Sequence, residues 1–213
     1  MEAHLDRCYV AADNLKSSLP ESILNMEGMT GKKTRHFYNN LLTMDGARYL
    51  EIGTWKGSSV CSAMYNNKAT VLCIDNWSQF GGPKDEFLKN LELYRGANDA
   101  KYIESDCWKV DVKSIGKFNI YLYDGDHTFE DHYNALTYYI ECLDDTFIFI
   151  VDDWNWNGVR EATMKSIQDL GLQEKHRIEV RLTNDGSHTA DMNLARETWH
   201  NGISAFVLQK RGD

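Results

Sequence analysis

From Ala47 onward the chain alternates between two kinds of signal. Short apolar or β-branched runs stand at 48–52, 70–75, 101–104, 118–124 and 146–152, and helical patterns at 58–66, 84–95, 128–142 and 158–170. Such alternation predicts an α/β fold, a doubly wound and mostly parallel sheet with helices on both faces. Right-handed crossovers then gather the strand C-termini on one edge, where a ligand binds. The pattern breaks at the end. Runs at 177–182 and 203–209 are joined by a polar connection, 183–201, in which no helix is expected, so the last strand is predicted antiparallel. Residues 1–46 are mixed and helical, with one helix from Glu21 after Pro20 and another over 35–42. They read as an N-terminal helical cap on a main domain, 47–213, within one compact unit.

The first strand leads into the most specific stretch, Arg48 to Ser59, RYLEIGTWKGSS. A buried strand, a glycine turn and a helix N-terminus follow one another there, as in nucleotide-binding sheets. Gly53 and Gly57 remove a Cβ where a ligand would meet backbone. The spacing is G-x-x-x-G, not the G-x-G-x-x-G that cradles a pyrophosphate. Glu51, two residues before the first glycine, would repel a pyrophosphate and suits a ligand bearing positive charge. Asp75 ends the second run 22 residues after Gly53, where an acid can accept from both ribose hydroxyls.

Composition narrows the partners. The net charge is -9 over 213 residues, without a Lys/Arg cluster, which argues against nucleic acid as substrate. No signal peptide is expected from MEAHLDRCYV, and the longest purely apolar run, Phe147 to Val151, is too short for a membrane. Five cysteines without a C-x-x-C fit a reducing cytoplasm better than a disulfide scaffold or a structural zinc site.

The E-x-G-x-x-x-G motif resembles the first motif of the class I S-adenosylmethionine (SAM)-dependent methyltransferases. The order of elements from about 47 to 210 resembles their Rossmann-like sheet too. The resemblance implies SAM as cofactor, with Glu51, Gly53, Gly57, Ser58, Asp75, Asn76, Asp106, Cys107 and Asp124 around it. Asp106 would meet the adenine amine, and Trp77 or Trp108 would wall the base or simply pack in the core.

A second constellation follows. Asp124-Gly125-Asp126-His127 ends the fourth strand and Asp152-Asp153 the fifth, so four carboxylates and a histidine are expected at one edge. Like charges gathered so closely call for a cation. D-G-D-H followed by V-D-D resembles the macrocin-type sugar O-methyltransferase and cephalosporin-hydroxylase-like group (Methyltransferase 24-like). That resemblance implies a divalent ion, Mg²⁺ or else Mn²⁺ or Ca²⁺, on Asp124, Asp152 and Asp153, with Asp126 or His127 as general base. Catechol O-methyltransferases share the arrangement, but their lysine is missing here. A plainer reading makes Asp124-Gly125 a turn and Asp126 or Thr128 a helix cap. His132, His176, His188 and His200 read as surface residues, and Asn155, Trp156 and Asn157 as either loop decoration or acceptor pocket. Asn25 to Gly31 resembles the segment that folds over SAM in the sugar enzymes.

The function expected is O-methylation of a small hydroxylated acceptor such as a sugar, by a chain that a homodimer could suit. The alternatives are a hydroxylase-like protein and a non-catalytic SAM-binding protein on the same scaffold. No two-histidine, one-carboxylate iron site is evident from the spacing.

Overall fold

Phe118 to Tyr123 are all buried in the computed structural model, which describes residues 1–211. A strand covered on both faces belongs in the middle of a parallel sheet with helices on either side. This strand, β4, lies in a seven-stranded sheet with β1 (Arg48–Ile52), β2 (Thr70–Asp75), β3 (Asp99–Glu104), β5 (Leu143–Asp152), β6 (Gln173–Val180) and β7 (Ile203–Gln209). The order is β3-β2-β1-β4-β5-β7-β6. β1 to β5 pair in parallel, and β7 runs antiparallel to both of its neighbours. The doubly wound sheet with an antiparallel last strand is therefore as expected.

The helices are α1 (Glu2–Asp13), α2 (Glu21–Leu24), α3 (Lys32–Leu41), α4 (Ser58–Met64), α5 (Lys84–Tyr94), α6 (Phe129–Tyr139), α7 (Asn157–Asp169) and α8 (Met192–Glu197). The strand pleat divides the core in two. Tyr49, Val71, Cys73, Ile120 and Leu122 pack with residues of α1, α3 and α4. Leu50, Ile52, Leu72, Tyr121 and Phe149 pack with residues of α6 and α7. Leu5, Phe37, Tyr38 and Leu41 share the first of these clusters, so α1 and α3 help form the main core. The outermost strands, β3 and β6, carry Asp99, Lys101, Glu174 and Lys175, charges that discourage edge-to-edge pairing.

Several boundaries move. β3, β5 and β6 begin earlier than the apolar runs suggest, because ladder pairing extends through polar residues. The connection 183–201 does contain a helix, α8. Its signal was Asp191, whose side chain accepts from the Asn193 and Leu194 amides. None of the helices is long and apolar enough to cross a membrane among the described residues.

Candidate functional site

Parallel strands place their C-terminal ends together, and a cavity of about 470 Å³ opens along that edge. Its lining comes from the residues just after each strand: Gly53 and Trp55, Asn76 and Trp77, Ser105 to Trp108, Asp124 to His127, and Asp153 with Trp156. Gln79, Phe80 and Asp131 complete the wall, and Met29 reaches in from the N-terminal segment.

The glycine half is internally satisfied. Asp75 accepts from the amides of Thr54 (2.9 Å), Trp55 (2.8 Å) and Trp77 (2.7 Å), so its carboxylate pins the turn. A carboxylate offers about four acceptor positions, which leaves little room for two ribose hydroxyls. Asp106 accepts from the Trp108 amide at 3.0 Å and faces Lys109 at 3.3 Å. Asn76 accepts from Ser78, and Cys107, half-buried at the wall, has its thiol pushed up to about 12 by burial. Trp77 lines the cavity while packing 5.0 Å from Phe87, and Trp108 lies 6.1 Å from Tyr123, so each serves both core and wall.

Glu51 does not face the cavity. The pleat puts it on the Tyr49 side of β1, wholly buried. There it accepts from the Tyr49 hydroxyl and the Ser59 hydroxyl, both at 2.6 Å. Burial pushes its carboxyl up to about 7. Gly57 and Ser58 likewise lie outside the lining. Gly57 starts α4 at φ +84, and the Ser58 hydroxyl sits 3.3 Å from Thr30 Oγ1. Gly53 lines the cavity, but its need for glycine comes from the fold. Its φ is +83, and a Cβ would stand 1.9 Å from the Asp124 carbonyl oxygen.

The acidic half is the opposite. Asp124, Asp126, His127, Asp152 and Asp153 all converge on the cavity, as expected. Thr128, not Asp126, caps α6, accepting from the Asp131 amide at 3.1 Å. The Asp126 Oδ1 accepts from the His127 amide at 2.9 Å. Burial and the neighbouring carboxylates hold Asp124 and Asp152 well above the usual carboxylate range. Asp152 Oδ1 is buried without a partner. Asp153 sits at φ +54 and contacts His127 Nε2 at 2.9 Å and Asn201 Nδ2 at 2.7 Å. Burial opposes charge on both Asp153 and His127, yet their mutual contact wins, lowering the acid and raising the histidine. His127 Nδ1 lies 3.3 Å from His132 Nε2, so both ring nitrogens are engaged.

The sequence readings of the histidines and of residues 155–157 need correction here. His132 is fully buried, and burial takes its pKa down to about 3. His188, exposed as expected, and His200 line the cavity, whereas His176 stays away from it, paired with Asp6 at 2.7 Å. Among the described residues, the trio whose ligand atoms lie within 4.8 Å of one another is Asp153, His188 and His200. It is a two-histidine, one-carboxylate set that the sequence spacing had not revealed. Asn155 is fully buried and structural, bonding Thr189 (3.0 Å), Asn201 (2.9 Å) and the Leu182 amide (2.8 Å). Of the 155–157 loop, Trp156 alone lines the cavity, 5.1 Å from the His127 ring. Asn157 instead accepts from Arg160.

Residues 50–154, from β1 to just past β5, match the family model of a methyltransferase domain. The matched stretch, 105 of the 213 residues, is similar to such a domain. It supplies both glycines and every carboxylate of the acidic half, whereas His188, His200 and Asn201 lie beyond it. Several solved structures share the architecture. Cofactor-bound Rv0187 from MTB superimposes with a TM-score of 0.58 at 16% identity, covering 99% of this chain and 92% of that one. The SAH-bound methyltransferase PaMTH1 of Podospora anserina gives 0.56 at 12%, covering 100% and 89%. A Klebsiella pneumoniae protein described as an O-methyltransferase gives 0.53 at 14%, covering 98% and 91%. At these identities the likeness establishes the fold. No curated protein matches the sequence.

Proposed function

We propose that this chain is a SAM-dependent O-methyltransferase of a small hydroxylated acceptor, such as a sugar, working with a divalent cation. The observation that carries the reading is one cavity with two unlike halves, a glycine-and-aromatic half and a half of crowded carboxylates. The first half fits SAM by its donor chemistry. Trp55, Trp77, Phe80 and Met29 offer apolar surface, Asp75 keeps one acceptor position for a ribose hydroxyl, and Ser105 to Cys107 would border the base. When bound, SAM supplies a methyl group on a sulfonium centre.

The second half fits a cation. Asp152 Oδ1 is a buried acceptor without a donor, and Asp124 beside it is held above the usual carboxylate range by burial and repulsion. Asp124, Asp152 and Asp153 would hold the ion, which when bound lowers the pKa of a coordinated hydroxyl. Asp126, freed from capping α6 and exposed at the cavity, takes the acceptor's proton as general base. His127 is a positioning residue, orienting Asp153.

The segment 25–31 acts as the lid. Met29 touches the cavity, Arg35 holds the carbonyls of Thr30 (3.1 Å) and Ile23 (2.6 Å), and Lys56 of the glycine turn grips Glu27 at 2.8 Å. Its closure would exclude water from the transfer.

Calorimetry with SAM and with NAD, followed by a screen of hydroxylated acceptors with labelled SAM with and without chelator, tests the proposal. SAM binding that survives chelator, with methyl transfer that does not, is the expected result. NAD binding without SAM binding would sink it.

A further inference from the structure

The acidic half holds more nitrogen donors than methyl transfer with a Mg²⁺-type ion requires. β7 runs antiparallel, so the residues before it arrive at the ligand edge: Asp152 at the end of β5 pairs with Ile203 at the start of β7. The connection 183–202 is thereby folded over the end of β5 and brings His188 and His200 to Asp153. One ligand atom from each of these three lies within 4.8 Å of the others.

Each member is prepared in its own way. His188 is exposed, and its Nδ1 lies 3.0 Å from the Thr189 carbonyl oxygen. A carbonyl only accepts, so Nδ1 carries the proton and Nε2 presents its lone pair, the arrangement in which a histidine ligates a metal. His200 Nδ1 is buried and has no hydrogen-bond partner. Buried imidazole nitrogens are seldom left so. Asp153 is oriented by Asn201 and His127, as ligating carboxylates are by their hydrogen-bond partners. Asp153 and His200 are both non-glycine residues held in the left-handed region, at φ +54 and +56. Strain of this kind concentrates at functional sites.

We propose that Asp153, His188 and His200 form a site for a first-row transition ion such as Mn²⁺, Fe²⁺, Co²⁺ or Zn²⁺. It shares Asp153 with the carboxylate set of Asp124, Asp152 and Asp153, but its donor chemistry differs. Two imidazoles and one carboxylate favour these ions over Mg²⁺ and Ca²⁺, which prefer oxygen alone. The three protein ligands leave positions open toward the cavity, where a bound molecule can join the ion. The site stands on its own geometry, whatever group the methyltransferase domain transfers.

The test uses the full chain, stripped of metal by chelator and titrated with Co²⁺, whose visible absorption reports coordination. One equivalent is expected to bind, to be displaced by Zn²⁺ and to resist a large excess of Mg²⁺. H188A, at an exposed position, and H200N, whose asparagine tolerates the left-handed backbone, should each weaken Co²⁺ binding by at least about tenfold. D124N should leave Co²⁺ affinity within about threefold of wild type, since Asp124 is not in the trio. Circular dichroism confirms that each variant is folded. Absence of Co²⁺ binding to the folded wild type, or binding unchanged in both histidine variants, overturns the proposal. So does binding lost in D124N alone, which would put the ion on the carboxylates. SAM calorimetry on the same samples reports on the methyltransferase reading separately.

Discussion

The two halves of the cavity treat their acids in opposite ways. In the glycine half, Asp75 and Asp106 already accept from amides of the chain itself, as Glu51, buried in the strand before the turn, does from two hydroxyls. In the other half, Asp152 has an oxygen with no donor, and Asp124 is lifted by burial and then by its neighbours' charge. A satisfied carboxylate builds the site; an unsatisfied one waits for something to bind. The glycine half is a preassembled frame, and the acidic half is where charge must be supplied from outside.

The largest expected effect is at the frame. Gly53→Val drives a Cβ into the Asp124 carbonyl and forces a branched residue to φ +83. Loss of roughly 4 kcal/mol or more in denaturant unfolding is expected. This revises the view that the glycine serves the ligand alone. A G53V protein as stable as wild type would break the comparison at its strongest point.

In the acidic half, Asp126→Asn should leave SAM affinity and stability in place and lower turnover by roughly 10²–10⁴-fold, the usual share of a general base. Steady-state kinetics on an identified acceptor checks it. A drop in SAM affinity of the same size as the drop in turnover would assign Asp126 to the frame instead.

Glu51 makes a pH prediction. Burial pushes its carboxyl up to about 7 in the folded chain, against 4.5 for a free glutamate. Between these values the native state holds a proton that the unfolded chain has lost. Stability therefore falls as pH rises from about 4.5 to about 7, by up to about 3 kcal/mol. E51Q should flatten that slope in pH-dependent thermal unfolding, whereas an unchanged slope would mean that Glu51 stays ionised.

The smallest effect is at Asp75. Removing its carboxylate in D75A frees three amides of the turn. SAM affinity should weaken by roughly 1–3 kcal/mol. Calorimetry of D75A beside D75N separates the two roles. If D75N binds SAM as wild type does, the residue acts by bracing the turn through the oxygen it keeps.

What the sequence determined by itself is the order of elements and the two motif-bearing strand ends. Alternating apolar runs fix which segments are buried, and a parallel sheet then sends every strand end to one edge. For that reason Asp75, Asp106, Asp124, Asp126, Asp152 and Asp153 could all be placed near the cavity from spacing alone. Tertiary structure decided the rest. Glu51 is turned inward by a pleat whose phase depends on which side α4 covers, with Ser59 waiting there. His188 and His200 are 35 and 47 residues from Asp153 in the chain, and no local pattern links them. They meet it because β7 reverses direction beside β5 and Asn155 and Asn201 fasten the connection down. Periodicity reports burial along one strand; which side chains share a site across strands is set by long-range packing, and that information exists only once the sheet has closed.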